Sequence, residues 1–169
     1  SMIDQIDTLS NIAAAFSRFA SMPELKLKLF PVSELVRRVA ALYPEDNVEF
    51  KAVDRDLQIY ADPDQLIRVM NNLINNALQA IPEGRQGKVV VSLSKQEREV
   101  LIEVCDNGSG IPENQRDKVF EPRFTTKSSG MGLGLALVKR IVDGFKGRIT
   151  FQTVMNEGTC FEVYLPLEE

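Results

Sequence analysis

Two strand pairs late in the chain do most to limit what this sequence can fold into. KVVVSLSK (88–95) and VLIEVCD (100–106) are strand-like runs joined by a polar turn. RITFQTV (148–154) and TCFEVYLP (159–166) flank the turn Met155-Asn156-Glu157-Gly158. Each pair reads as a hairpin, and helical segments are inserted around them. That order predicts an α+β fold, a two-layer sandwich rather than alternating β-α-β units. We expect a mixed, mostly antiparallel sheet of about five strands with about three helices on one face.

The remaining segments fill in this frame. Ile3, Ile6, Leu9, Ile12, Phe16 and Phe19 recur at helical spacing over 3–21. Nothing precedes this helix for it to pack on, so its stripe calls for another helix or another chain. Met22-Pro23 ends it, and 24–31 reads as a linker. Residues 32–43 form a short amphipathic helix closed by Pro44. VEFKAV (48–53) and LQIYA (57–61), on either side of Asp54-Arg55-Asp56, read as a further hairpin. Asp62 as N-cap, Pro63 at the first position and Gln65 completing a capping box start a helix that runs to about Ala80. A short helix near 113–118, an irregular segment to about Gly132 and a helix over 133–145 lie between the two late hairpins. The chain therefore divides into a helical stub with linker (1–30) and one domain (31–169).

Composition removes several function classes. No apolar run approaches the roughly 18 residues of a membrane span, and no signal peptide is visible. Ser1-Met2 reads as a cloning remnant, so the start is expected to be an engineered boundary inside a longer protein. Cys105 and Cys160 read as reduced core thiols of a cytosolic domain, with a disulfide or a reactive thiol as the alternatives. There is no histidine, which excludes a histidine general base, metal ligand or phosphoacceptor within these residues. Between Gln115 and Arg148 eight Lys/Arg stand against three acids, while the whole chain carries −4. A locally positive, glycine-bearing segment in an acidic protein suits a small polyanion better than a nucleic-acid duplex, although a merely solvated face explains it about as well.

Three pieces carry candidate chemistry. Beside the apolar stripe of helix 63–80, Asn72 and Asn76 form a polar ledge. Asparagine supplies a neutral carbonyl oxygen suited to Mg2+, although such a ledge also suits a solvated helix face. In DNGSGIP (106–112), Asp106 ends a buried strand, where it can accept a hydrogen bond from an exocyclic amine. Gly108 and Gly110 beside it let a flat ring approach the backbone, although an Asp-Asn-Gly turn is common anywhere. The third piece is VFEPRFTTKSSGMGLGLALVKRIV (119–142). Successive backbone N–H groups entering a helix N-terminus make an anion cradle, with Lys127 as a mobile charge. A plain hinge explains such glycines about as well when they are taken alone.

The order of the pieces is more specific than any one of them. It resembles the ATP-binding domain of sensor histidine kinases, the GHKL or Bergerat fold, over roughly residues 60–166. NLINNALQA (72–80) looks like the family's N box, DNGSG (106–110) like its first glycine box and FEPRFTTK (120–127) like its F box. GMGLGL (130–135) looks like its second glycine box and EGT (157–159) like its last. The wording NALQA, FTTK and LALVKRIV is most similar to the nitrogen-regulation kinases of the NtrB and NtrY types.

The resemblance implies ATP and Mg2+ as cofactors and a protein histidine kinase activity. Asp106 would bind the adenine amine, with Gly108 and Gly110 shaping its pocket. Asn72 and Asn76 would face the triphosphate and hold Mg2+, and Lys127 would reach the γ-phosphate. Gly130, Gly132 and Gly134, with Leu135 beside them, would form an ATP lid, disordered without nucleotide. Thr159 would support the pocket, and Phe120 and Phe124 would anchor the base of the lid. Hydrolysing members of the superfamily carry a Glu at the position of Asn72, where an amide cannot act as a general base. The γ-phosphoryl would therefore be kept for another acceptor. Arg123, Met131 and Phe145-Lys146-Gly147 depart from the usual pattern.

The implied partners are a histidine-bearing dimerisation domain, absent from these residues, and a cognate response regulator. Residues 3–21 resemble the tail of the dimerisation hairpin, so the parent is expected to be a homodimer through its N-terminal helices. The domain would be cytoplasmic, with the parent free to be anchored in the bacterial inner membrane. An anti-sigma-type serine kinase of the same fold and a non-catalytic ATP-sensing scaffold are the alternatives.

Overall fold

Alternation in the late strands becomes a sheet with one covered face. A computed structural model describes residues 2–20, 24–53, 57–122 and 134–168. In chain order these form α1 (Met2–Ala20), β1 (Lys28–Pro31), α2 (Val32–Ala40), β2 (Val48–Ala52), β3 (Gln58–Ala61) and α3 (Pro63–Gln79). There follow β4 (Val89–Gln96), β5 (Glu99–Asp106), the single turn α4 (Glu113–Arg116), α5 (Gly134–Gly144), β6 (Arg148–Val154) and β7 (Gly158–Glu168). The strand order is β1-β3-β7-β5-β4-β2, and β6 also pairs with β7. Every pairing is antiparallel except β2 with β4.

Successive residues of a strand point to opposite faces. On β5 the buried side chains Val100, Ile102 and Val104 therefore share a face, which continues through Val163 and Leu165 of β7. One hydrophobic cluster joins these residues to α2 (Val32, Val36, Val39), α3 (Leu66, Val69, Met70, Leu73, Ile74) and α5 (Val138, Ile141, Val142). Each such side chain contributes about 1.5–3 kcal/mol on burial. The stripe read on the asparagine-bearing helix is thus its core face.

The α+β class and both late hairpins are as expected, and four other features differ. Among the described residues the sheet has seven strands, not about five. The extra strand is part of the expected linker, Lys28–Pro31, which pairs with β3 at an edge of the sheet. Segments 48–53 and 57–61 do not form a hairpin with each other. β2 lies parallel to β4, Val48 opposite Val89, while β3 sits between β1 and the end of β7. Asp54-Arg55-Asp56 lacks the Asn-Gly or Gly-X pair that favours a tight hairpin. The α3 crossover supplies the length that a parallel return requires.

The third difference is at the start of α3. Asp62 caps the helix, its side chain accepting from the N–H of Asp64 and Gln65. The reciprocal half of a capping box is not made: Gln65 Oε1 is buried without a hydrogen-bond partner. The second Asp62 oxygen instead accepts the Lys26 N–H at 2.9 Å, tying the segment before β1 to the helix.

The fourth concerns the cysteines, which are disulfide-bonded rather than reduced thiols. The β5–β7 register sets Cys105 directly opposite Cys160, with their Cα atoms 4.0 Å apart. Directly opposed residues on one face are the closest side-chain neighbours an antiparallel pair offers. Register follows from pairing, which neither cysteine's local sequence discloses.

α5 ends in a Schellman arrangement, the Gly147 N–H bonding Val142 O and the Lys146 N–H bonding Asp143 O, both at 3.0 Å. That motif needs a left-handed residue, and Lys146 supplies it with φ 62°. Glycine adopts this conformation without the Cβ penalty. Lys146→Gly is therefore expected to stabilise the domain by about 1 kcal/mol, a rise of about 2–4 °C in Tm. Thermal melts of the Gly and Ala variants check this; a Gly variant no more stable than the Ala variant contradicts it.

Candidate nucleotide-binding site

Asp106 is the last residue of β5, on the core-facing side of the sheet and half-buried. Its Oδ1 accepts the N–H of Gly108 at 2.8 Å and of Thr159 at 3.3 Å. Neither donor uses Oδ2. Burial, the larger influence, pushes its pKa above the usual aspartate value, and the two backbone N–H groups pull against that shift. The result is a carboxylate fixed through one oxygen, with the other able to accept a hydrogen bond from a ligand.

The loop after Asp106 is shaped by contacts that exclude side chains. A Cβ on Gly108 would stand 2.5 Å from Ala80 O and 2.8 Å from Asp106 Oδ1. Gly110 has φ +82°, and a Cβ there would meet Val154 O at 2.8 Å. Ser109 donates both its N–H and its hydroxyl to Ala80 O, each at 3.1 Å, which satisfies a carbonyl at the C-terminus of α3. On the far side, Thr153 Oγ1 accepts the Ile111 N–H at 2.9 Å and lies 2.9 Å from Thr159 Oγ1. Asp106, Gly108 and Thr159, named from sequence as parts of one pocket, are therefore joined by hydrogen bonds, and Gly110 packs close by against Val154.

The asparagines of α3 divide between two neighbours. Asn71 faces the turn after α2 and accepts the Tyr43 hydroxyl at 2.8 Å. Burial, the main influence, pushes that phenol's pKa up, while the Asn75 amide opposes it. Asn72 donates its amide to Arg68 O at 2.9 Å, and its Oδ1 lies 2.9 Å from where a Cβ on Gly134 would be. Gly134, the first residue of α5, thus admits Asn72 at close range. Asn76, one turn further on, is half-buried, as is Leu135, which packs against the core. Among the described residues no cluster of three or more His, Cys, Asp or Glu side chains could hold a metal. The donors offered here are amide oxygens, which fit a hard cation that keeps its waters and phosphate ligands.

Lys127, Gly130 and Gly132, along with Arg123, Phe124 and Met131, lie outside the described residues. Phe120 packs edge-on against Phe151 and Phe161, with centroids 6.0 and 6.3 Å away. Sequence reading missed Arg85, Asn107, Ser109 and Thr153. Asn107 and Ser109 stood inside the quoted loop, but their partners are backbone groups in other segments, which no local pattern reveals.

A mixed sheet layered with helices, with a pinned acidic strand end beside a glycine loop, defines a nucleotide-binding sandwich. The profile of the histidine kinase-, DNA gyrase B- and HSP90-like ATPases matches residues 61–169, and the chain belongs to that ATP-binding family. Within it, the chain is a histidine kinase catalytic domain. It is 34% identical to the sensor histidine kinase ZraS of Escherichia coli K12 over 98% of this chain and 37% of that protein. It is 36% identical to the sensory histidine kinase/phosphatase NtrB of Azospirillum brasilense over 97% of this chain and 44% of that one. The solved catalytic domain of histidine kinase ThkA superposes with a TM-score of 0.73 at 32% identity, covering 83% of this chain and 95% of that one. ThkA has also been solved with the response regulator TrrA; that match has a TM-score of 0.76 at 27% identity and covers 98% of this chain and 49% of that one. The chain thus spans well under half the length of these curated relatives. No described helix is long and apolar enough to cross a membrane.

The raised pKa of Asp106 has a consequence for stability. An acid whose folded pKa lies above its unfolded value contributes stability below the unfolded pKa, and that contribution is lost as pH rises through the folded pKa. Above the ordinary aspartate range the burial of Asp106 therefore works against folding. Asp106→Asn keeps an oxygen for the Gly108 and Thr159 N–H groups and removes the charge. We expect a Tm at or above that of the parent chain at pH 7.5, with the advantage gone below the ordinary aspartate range. Melts across that pH interval decide it, and a variant markedly less stable at pH 7.5 contradicts it.

Proposed function

We propose that this domain binds ATP with Mg2+ and transfers the γ-phosphoryl group to a histidine on a dimerisation domain of its parent kinase. The observation that carries this reading is the Asp106 carboxyl, pinned by two backbone N–H groups with an oxygen left for the adenine amine. Gly108 and Gly110 let the loop beside it pack closely at those two positions, and Thr159 braces Asp106 from β7. Asn76, supported by Asn72, would hold Mg2+ through its amide oxygen. When bound, the ion offsets negative charge on the phosphate oxygens. Lys127 reaches the γ-phosphate, and Gly130, Gly132 and Gly134 with Leu135 belong to the lid over the triphosphate. Asn72, an amide, takes no proton from water near neutral pH, so positioning and electrostatics favour transfer over hydrolysis.

The partners follow from the same reading. The acceptor histidine must come from outside these residues, since the chain contains none. Met2, Ile3, Ile6 and Leu9 of α1 are exposed, an apolar face suited to the dimerisation helices of a homodimeric parent. A response regulator then receives the phosphoryl group. The domain works in the cytoplasm, whether or not the parent is membrane-anchored.

Two measurements test this. Asp106→Asn is expected to weaken ADP binding by about 10-fold or more, the loss of a hydrogen bond to a charged group; calorimetry showing unchanged affinity removes the adenine assignment. Mixing the chain with Mg-ATP and a separate histidine-bearing dimerisation domain should put acid-labile phosphate on that domain. Acid-stable phosphoserine on a protein acceptor would instead indicate a serine kinase. Binding with no transfer to any native acceptor would indicate an ATP-sensing scaffold.

A further inference from the structure

The loop between α3 and β4 is stitched to the Asp106 loop by contacts that no role assigned so far requires. Arg85 Nη1 donates to the carbonyl oxygens of Asn107 at 2.7 Å and Gly108 at 3.0 Å. Asn107 makes the return contacts: its Oδ1 accepts the Lys88 N–H at 2.8 Å and its Nδ2 donates to Gln86 O at 3.0 Å. Its own N–H reaches Lys88 O at 3.3 Å.

The peptide between Asn107 and Gly108 is the important one. A trans peptide is planar, so its carbonyl and its N–H point in opposite directions, and no described peptide is cis. The carbonyl end is held by the Arg85 guanidinium. The opposite end is the Gly108 N–H, 2.8 Å from Asp106 Oδ1. A cation on the carbonyl oxygen both orients this peptide and polarises it, which makes its N–H a stronger donor.

We infer that Arg85 is a positioning residue for adenine recognition, setting the rotation of the Asp106 carboxylate through the Asn107–Gly108 peptide. The inference rests on the reading of Asp106 as the adenine acceptor. It assigns Arg85 to the base end of the nucleotide, although a basic side chain at the rim of such a site would ordinarily be given to the phosphates.

Adenosine, which has no phosphates, separates the two assignments. Calorimetry on the whole chain should show Arg85→Ala weakening adenosine and ADP by the same factor, about 3- to 10-fold. Arg85→Lys, which keeps a cationic donor, should recover most of the affinity. The Gly108 amide proton should move upfield in the Ala variant as its hydrogen bond to Asp106 loosens, a signature that a general loss of stability does not produce. Wild-type adenosine affinity in Arg85→Ala overturns the inference, and so does a loss confined to ADP. Asp106→Asn, run in parallel, keeps two failures apart. If Asp106→Asn weakens adenosine and Arg85→Ala does not, only the role of Arg85 falls. If Asp106→Asn binds adenosine normally, the underlying pocket assignment falls.

Discussion

The pairing of β5 with β7 is the constraint on which the rest of this structure depends. Eight residue pairs run from Glu99 opposite Pro166 to Asp106 opposite Thr159. Because side chains alternate, a slip of one residue would send every one of them to the wrong face. Asp106 would then leave the helix-covered side, and the strand end would carry no carboxylate into the pocket. The covered face holds Val100, Ile102 and Val104 against Phe161, Val163 and Leu165, a complementarity that a shifted register would destroy. The open face accepts an unfavourable match as a result. Glu103 stands opposite Glu162, and its pKa is raised by burial first and by the charge of Glu162 second. Gln152, Thr150 and Tyr164 surround Glu162 with hydrogen bonds.

A second dependence runs along α3. Its apolar stripe lies in the core, its N-terminus is tied through Asp62 to the segment before β1, and its C-terminal carbonyl is gripped by Ser109. The helix therefore connects the asparagine ledge to the Asp106 loop as one rigid piece. Gly134 answers a packing demand as well as any made by phosphate, because Asn72 occupies the space where its side chain would be.

Much of this was legible in the residues. Both late hairpins and the boundaries of α3 and α5 were readable to within a residue or two, because alternation, caps and breakers act locally. The place of Asp106 at a strand end before a glycine loop was legible because an apolar run closed by a carboxylate and two glycines is a local pattern. Pairing was not legible. β1 is a four-residue edge strand whose only half-buried member is Phe30, too little signal to separate it from a linker. The partners of β2 and β3 lie far along the chain, and so does the mate of each cysteine. Arg85 was invisible for a related reason: it binds carbonyls 22 and 23 residues away, and every residue has a carbonyl.

The position of β7 in the chain has a consequence for how the protein is made. β3, β5 and β6 all pair with this strand, which is the last element along the sequence. A ribosome releases the chain from its N-terminus, so residues 28–154 emerge before the strand that joins them. Until 158–168 follow, β5 has one edge unpaired and open to other chains. Asp106 also lacks its Thr159 donor during that interval.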